Sequence, residues 1–366
     1  MPRAPTVFLS AGESSGDLHG AELARRLRER VPGVRLIGLG GSRMAAAGVE
    51  LMAGLDRLAV LGLAEVVRHL PDLLRIRRDV YRALERERVD LVVPIDYPGF
   101  NLPLAGRAHE LGIPVLYYIA PQVWAWKEGR AERLARWCDE ICVVLPFEAA
   151  LLERYGARVR FVGHPLLDQP IPRPAGDRDV LGLFPGSRRQ EVERMLPVFL
   201  EAVEELRRRG VEVPVRVARA TDLGEDAYHG CPAELLAPAE QVMAASRAAI
   251  TKSGTITLQL AIAGVPMVVG YRVHGLTFHI LRRLVSLDSV ALVNLVAGEE
   301  VVAECLQDEM TAERLAAEVR PLLEEGTRRR AVLDGLTEVR GRLGQPGAAD
   351  RVAAACVEQL ERAGSE

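Results

Sequence analysis

Along the first 165 residues, short unbroken apolar runs alternate with stretches whose apolar positions recur every three or four residues. Runs of the first kind lie at 6–10, 35–39, 91–95, 115–119, 140–145 and 160–162. Leu18, Ala21, Ala24, Leu27 and Val31 set the second kind, which returns at 70–86, 102–111, 130–137 and 147–155. The two periods predict strands alternating with helices. Strands apolar on both faces belong in a parallel sheet covered on each side by helices.

The alternation breaks at 163–179, where Pro165, Pro170, Pro172 and Pro174 disfavour both helix and strand. It restarts with strands expected at 180–184, 213–218, 248–251 and 266–270 and helices at 191–209, 239–246 and 256–263. The stretch 298–362 reads as mostly helical. The expected organisation is an α/β domain over 1–165, a Pro-rich linker at 166–179, a second α/β domain over 180–345 and a final helix in 346–366. A length of 366 residues suits two domains. Two doubly wound sheets in succession predict an interdomain cleft at their carboxyl ends, where open α/β sheets bind ligands.

Composition narrows the classes. A net charge of −3 gives no basic field for nucleic acid. No uncharged apolar run reaches the length of a membrane span. The first ten residues lack the features of a signal peptide, so the expected location is the cytoplasm. The five cysteines form no C-x-x-C pair and no histidine completes a zinc set, so reduced and mostly buried thiols are expected, with no metal site.

Chemistry concentrates where strands run into helices. The first strand leads into Ala11-Gly12-Glu13-Ser14-Ser15-Gly16-Asp17. Glycines permit a tight turn and the helix start offers amides. Glu13 would repel a phosphate and suits sugar hydroxyls or acid–base work; the alternative is an ordinary turn with Ser15 or Asp17 as N-cap. Asp96 ends an apolar run before Tyr97-Pro98-Gly99 and is expected at a strand's carboxyl end. A partly desolvated carboxylate there can take a proton from an alcohol; the alternative is that Asp96 caps the turn around Pro98. Tyr117, Tyr118, Gln122, Trp124 and Trp126 cluster within ten residues, either facing a sugar or acyl chain or filling a core corner.

In the second half, Gly186, Ser187 and Arg188 combine a close backbone approach, a hydroxyl and a guanidinium fork suited to phosphate. The segment lacks the Walker pattern. A second strand ends in Lys252-Ser253-Gly254-Thr255, with Gln259 one helical turn on, within reach of ribose hydroxyls. Two anion seats on one domain, both at strand ends, suggest a nucleoside diphosphate.

Together these segments resemble the lipid-A-disaccharide synthase family. The matching stretches are AGESSGD at 11–17, IDYPGFN at 95–101, PQVWAW at 121–126, LPFE at 145–148, GHPLLD at 163–168, PGSRRQEV at 185–192, KSGT at 252–255, PMVVGYR at 266–272 and LVNLVAG at 292–298. The resemblance implies a GT-B fold of two Rossmann-like domains. It implies inverting, metal-independent transfer of a diacylated glucosamine from UDP to a diacylated glucosamine 1-phosphate, making a β-1,6 disaccharide without a cofactor. It puts acceptor chemistry on the first domain, with Asp96 and Glu13 catalytic and Ser14, Ser15, Gln122 and Trp124 beside the acceptor. It puts UDP on the second domain, with Asn294 matching a donor-site position alongside Gly186, Ser187, Arg188, Ser253, Gly254, Thr255 and Gln259. It also implies that the final helix returns to the first domain. Gln259 stands where many members have glutamate, and Gly99 where an aspartate is common.

Family enzymes work on the cytoplasmic face of the inner membrane. Leu63, Val66, Val67, Leu70, Leu73 and Leu74, bordered by Arg68, Arg75, Arg77 and Arg78, form an amphipathic surface that could lie on membrane lipids, or else a normal core-facing helix. A homodimer is compatible with this reading. A UDP-sugar epimerase of the same fold, or a non-catalytic UDP-sugar-binding homologue, are the alternative functions.

Overall fold

The computed structural model describes residues 3–58, 63–123, 128–170, 172, 178–221, 223–272 and 289–364, the side chains of 63–70 and 128 excepted. The chain divides into two compact units, Met1–Asp168 with Gln345–Glu366, and Gln169–Gly344.

Unit 1 is built on seven parallel strands: β1 (Thr6–Ala11), β2 (Arg35–Gly40), β3 (Glu50–Gly54), β4 (Leu91–Ile95), β5 (Leu116–Tyr118), β6 (Glu140–Val143) and β7 (Val159–Phe161). Their order is β3-β2-β1-β4-β5-β6-β7. The chain moves outward from β1 to β3, then crosses back to place β4 on the other side of β1. The crevice between β1 and β4 is therefore the topological switch point. Every residue of β1 and β4 is buried, as central strands require. In the helix Leu63–Arg86, Ile76, Val80 and Leu84 pack into the core with Phe8 and Val92, while Leu74 is 42% exposed. The final helix, Ala348–Ala363, lies in unit 1 against the helix Ser14–Arg30. Asp168 accepts the amides of Gly347 and Ala348 at its start, and buried Glu140 binds Arg160 at 2.6 Å and Gln359 at 2.9 Å.

Unit 2 has six parallel strands: β8 (Val180–Phe184), β9 (Val215–Arg219), β10 (Leu236–Pro238), β11 (Ser246–Thr251), β12 (Met267–Tyr271) and β13 (Glu304–Leu306), ordered β10-β9-β8-β11-β12-β13. Here the switch point lies between β8 and β11. Before β8, Arg178 donates to the carbonyls of Ala263 and Gly264, closing the carboxyl end of the helix Thr255–Ile262.

Three strands escape the apolar-run criterion: β3, β10 and β13, and all are sheet edges. An edge strand lacks a hydrogen-bonded neighbour on one side and is less covered, so Glu50 is exposed on β3 and Pro238 ends β10. β13 falls in a stretch expected to be helical; Glu304 and Cys305 supply no strand-like alternation there. Four cysteines are buried, Cys231 is half-buried, and all are free thiols.

Candidate functional site

In unit 1 the sheet register sets Ala11 of β1 beside Ile95 of β4, so the turns holding Glu13 and Asp96 leave the sheet side by side at the switch point. Asp96 and Tyr97 both adopt left-handed backbone, with φ of 47° and 49°. For non-glycine residues this costs on the order of 1–3 kcal/mol each and persists only where neighbours enforce it. The enforcing contacts converge on the Asp96 carbonyl. The Asn101 amide donates to it at 2.7 Å and the Tyr117 hydroxyl at 2.8 Å. Asn101, fully buried, also donates to Ser10 and Ile95 carbonyls, and the Ser10 hydroxyl donates back to Asn101 at 2.6 Å. The Tyr97 hydroxyl reaches the Leu58 carbonyl at 2.7 Å. Gly12 is obligatory beneath it: a Cβ there would sit 2.2 Å from the Tyr97 ring.

With its backbone clamped, the Asp96 side chain is half-buried. Burial, and then the negative charge of Glu13, push its carboxyl up to about 6. That suits a group which must take up a proton near neutral pH. Glu13 itself is exposed at the N-cap position of the helix Ser14–Arg30, its side chain making no cap. Neither Ser15 nor Asp17 caps that helix. Asp17 instead accepts the amides of Gly41, Arg43 and Met44, tying the turn after β2 to the first helix. Ser14 and Ser15 are exposed, and Arg43 lies 3.4 Å from the Ser14 hydroxyl. Ser14 and Arg43, but not Ser15, line a cavity of about 440 Å³ together with Asp17, Ser42, Leu55 and Asp56. Gln122 is exposed after β5. Tyr117 and Tyr118 are fully buried core residues, which settles the core alternative for that pair. Trp124 and Trp126 lie outside the described residues.

In unit 2 the ends of β8 and β11 meet around a cavity of about 280 Å³. Gly186, Ser187, Thr255 and Gln259 line it with Lys252 and Arg219. Gly186 has φ of 135° and Gly254 of 143°, both backbone states that favour glycine. Arg188 is exposed at the N-cap position of the helix Arg189–Arg208. Ser253 and Asn294 sit differently from the rest. The Ser253 hydroxyl donates to the Val290 carbonyl at 2.9 Å. Asn294 is buried, with its amide nitrogen on Val302 O and Glu304 and its oxygen on the amides of Val301 and Val302. Its side chain thus ties the helix Leu292–Ala297 to the turn at Val301 and Val302 and to Glu304 of β13. Arg219 lies just past the strand expected at 213–218 and was not singled out there; Lys252 stood inside a noted motif.

A family profile described as lipid-A-disaccharide synthetase matches residues 7–351. Proteins named lipid-A-disaccharide synthase from Geobacter metallireducens and Geobacter sulfurreducens are each 40% identical to this chain, covering 97% of both sequences. One from Myxococcus xanthus is 39% identical, covering 98% of this chain and 99% of its own. Among solved structures, the glycotransferase of kitacinnamycin is similar over 98% of this chain and 100% of its own, at a TM-score of 0.64 and 21% identity. A UDP-N-acetylglucosamine 2-epimerase fold from Listeria monocytogenes matches over 98% of both chains, at 0.67 and 14%. At such identities the structural likeness speaks for the two-domain GT-B fold alone.

Proposed function

The chain belongs to the lipid-A-disaccharide synthase family, and from that premise we propose how its residues divide the work of the reaction. It is a glycosyltransferase that moves a diacylated glucosamine from UDP to a diacylated glucosamine 1-phosphate, releasing UDP and a lipid A disaccharide. The observation that carries the assignment of roles is the raised carboxyl of Asp96 on its clamped turn at the β1–β4 switch point.

Asp96 takes the proton of the acceptor's 6-hydroxyl while that oxygen bonds to the donor's anomeric carbon from the face opposite the diphosphate. The anomeric carbon–oxygen bond breaks, its electrons pass to UDP, and an α linkage becomes β. Glu13 orients the acceptor and keeps the Asp96 carboxyl basic through its charge. Ser14, Ser15, Gln122 and Trp124 are assigned to acceptor contact, as the family resemblance implies. In unit 2, Arg188, Lys252 and the turn at Gly186–Ser187 meet the charge growing on the departing diphosphate. The Gly254–Thr255 helix start supports it, and Gln259 reaches the ribose through an uncharged amide. Ser253 and Asn294 contribute indirectly: Asn294 donates to Glu304, whose carboxylate accepts the Val290 and Ala291 amides beside the Val290 carbonyl that holds the Ser253 hydroxyl. No metal has a role in this scheme.

The pH dependence tests the base. Asp96 must be ionised to act, so kcat/KM should fall about tenfold per unit below pH ~6 and level off above it. Glu13→Gln removes a charge that raises this carboxyl, so the acid limb should move to lower pH. A limb that stays in place would deny the coupling.

Membrane contact is a second part of the proposal. No described helix is long and apolar enough to cross a membrane. On the helix Leu63–Arg86, however, Arg75, Arg78 and Leu74 face outward, and Arg75 pairs with Asp72 one turn away. Leu63, Val66, Val67, Arg68 and Leu70 have side chains outside the described set. Replacing Arg75, Arg77 and Arg78 by glutamine should weaken binding to anionic vesicles by on the order of tenfold to a hundredfold at low salt. Sedimentation showing equal binding would assign the helix to the core alone.

A further inference from the structure

Glu191 sits in the first turn of the helix Arg189–Arg208, and its carboxylate folds back over the preceding loop. One oxygen accepts the amides of Ser187 at 3.1 Å and Arg188 at 3.4 Å. The other lies 3.1 Å from the Lys252 ammonium, and both side chains are only 18% exposed. Gly186 makes room for this: a Cβ there would meet the carboxylate oxygen at 2.6 Å. Backbone amides plus a lysine are the donor set a phosphate oxygen would use. Lys252 and Ser187 line the 280 Å³ cavity. Lys252 is also one of only two lysines in a chain otherwise furnished with arginine.

We propose that Glu191 is a resident competitor for the donor's diphosphate: its carboxylate holds the Gly186–Arg188 turn and Lys252, yields them when UDP-sugar binds, and retakes them as UDP leaves. This rests on the donor reading above and adds how that site is loaded and emptied. Two anions cannot share the same amides and ammonium at hydrogen-bond range, because at such separations they repel each other, and more strongly beside the partly buried Glu191–Lys252 pair than in water. The exchange keeps the Lys252 charge compensated at each stage, so this partly buried cation is not left unpaired between turnovers. It also opposes tight retention of the product nucleotide. Glu191 touches no reacting atom and is a positioning residue.

The test is Glu191→Gln, which removes the charge but keeps an oxygen that can accept the turn amides. Calorimetry with UDP alone should show Kd lowered about tenfold or more. Product inhibition by UDP should strengthen in parallel, and steady-state turnover should fall while the single-turnover rate is kept. Glu191→Ala, which deletes competitor and cap together, should tighten UDP binding as well. A purely structural role predicts the opposite sign. Weaker or unchanged UDP binding in both variants overturns the proposal. Lys252→Met in the Glu191→Gln background should weaken UDP about tenfold or more. If that change and Arg188→Ala both leave UDP affinity untouched, it is the donor site itself that is misplaced.

Discussion

Asp96→Asn should slow disaccharide formation by about 100-fold or more while leaving UDP affinity close to wild type. The substitution is nearly isosteric, and asparagine tolerates the left-handed backbone that this position adopts. The bonds that build the turn reach the backbone carbonyl of residue 96, from Asn101 and Tyr117, and survive the change. Only the capacity to accept a proton is removed. A loss of rate therefore reads on the base and not on a collapsed turn. The same reasoning separates this variant from Asn101→Ala, which would release three buried carbonyls at once and act on stability as well as rate.

Arg188→Ala should weaken UDP binding by on the order of tenfold to a hundredfold and reduce the transfer rate with it. Its neighbour makes the contrast. Arg189 is tied to Asp226 at 2.6 Å, whereas no carboxylate among the described residues pairs with Arg188. An exposed guanidinium at a helix start, beside the Gly186–Ser187 turn, is free to meet a diphosphate without first breaking an ion pair. Its planar fork can bind two phosphate oxygens, so lysine should restore only part of the affinity. Arg189→Ala should leave UDP binding almost unchanged. Equal losses at both positions would point to general attraction by positive charge.

The central strands were legible because burial on both faces writes an unbroken apolar run, as at Leu91–Ile95 and Val180–Phe184. The edges β3, β10 and β13 were not, because one exposed side permits residues such as Glu50 and Pro238. At the candidate site, the sequence marked Asp96 by its place after an apolar run. It could not show that two successive residues turn left-handed, or that Asn101 closes the turn, since those depend on β1 and β5 arriving alongside. Asp17 is the same lesson in a single side chain. A helix-start carboxylate suggested a local cap, yet its partners lie at Gly41, Arg43 and Met44 across the sheet. Asn294 shows the converse: its place in a matching motif suggested donor contact, while its partners are the backbone of Val301 and Val302 and the Glu304 carboxylate. The tyrosine pair at 117–118 followed its burial into the core, not the aromatic chemistry its neighbours suggested.

The division of labour between the units is tested most directly by rapid-quench single-turnover transfer, with defined acylated donor and acceptor, at donor concentrations spanning saturation. One titration of each variant yields both the limiting rate and the donor concentration at half-rate. The account predicts that Asp96→Asn lowers the limiting rate alone, whereas Arg188→Ala also raises the half-saturating donor concentration. A full limiting rate in Asp96→Asn, or unchanged donor saturation in Arg188→Ala, would contradict it.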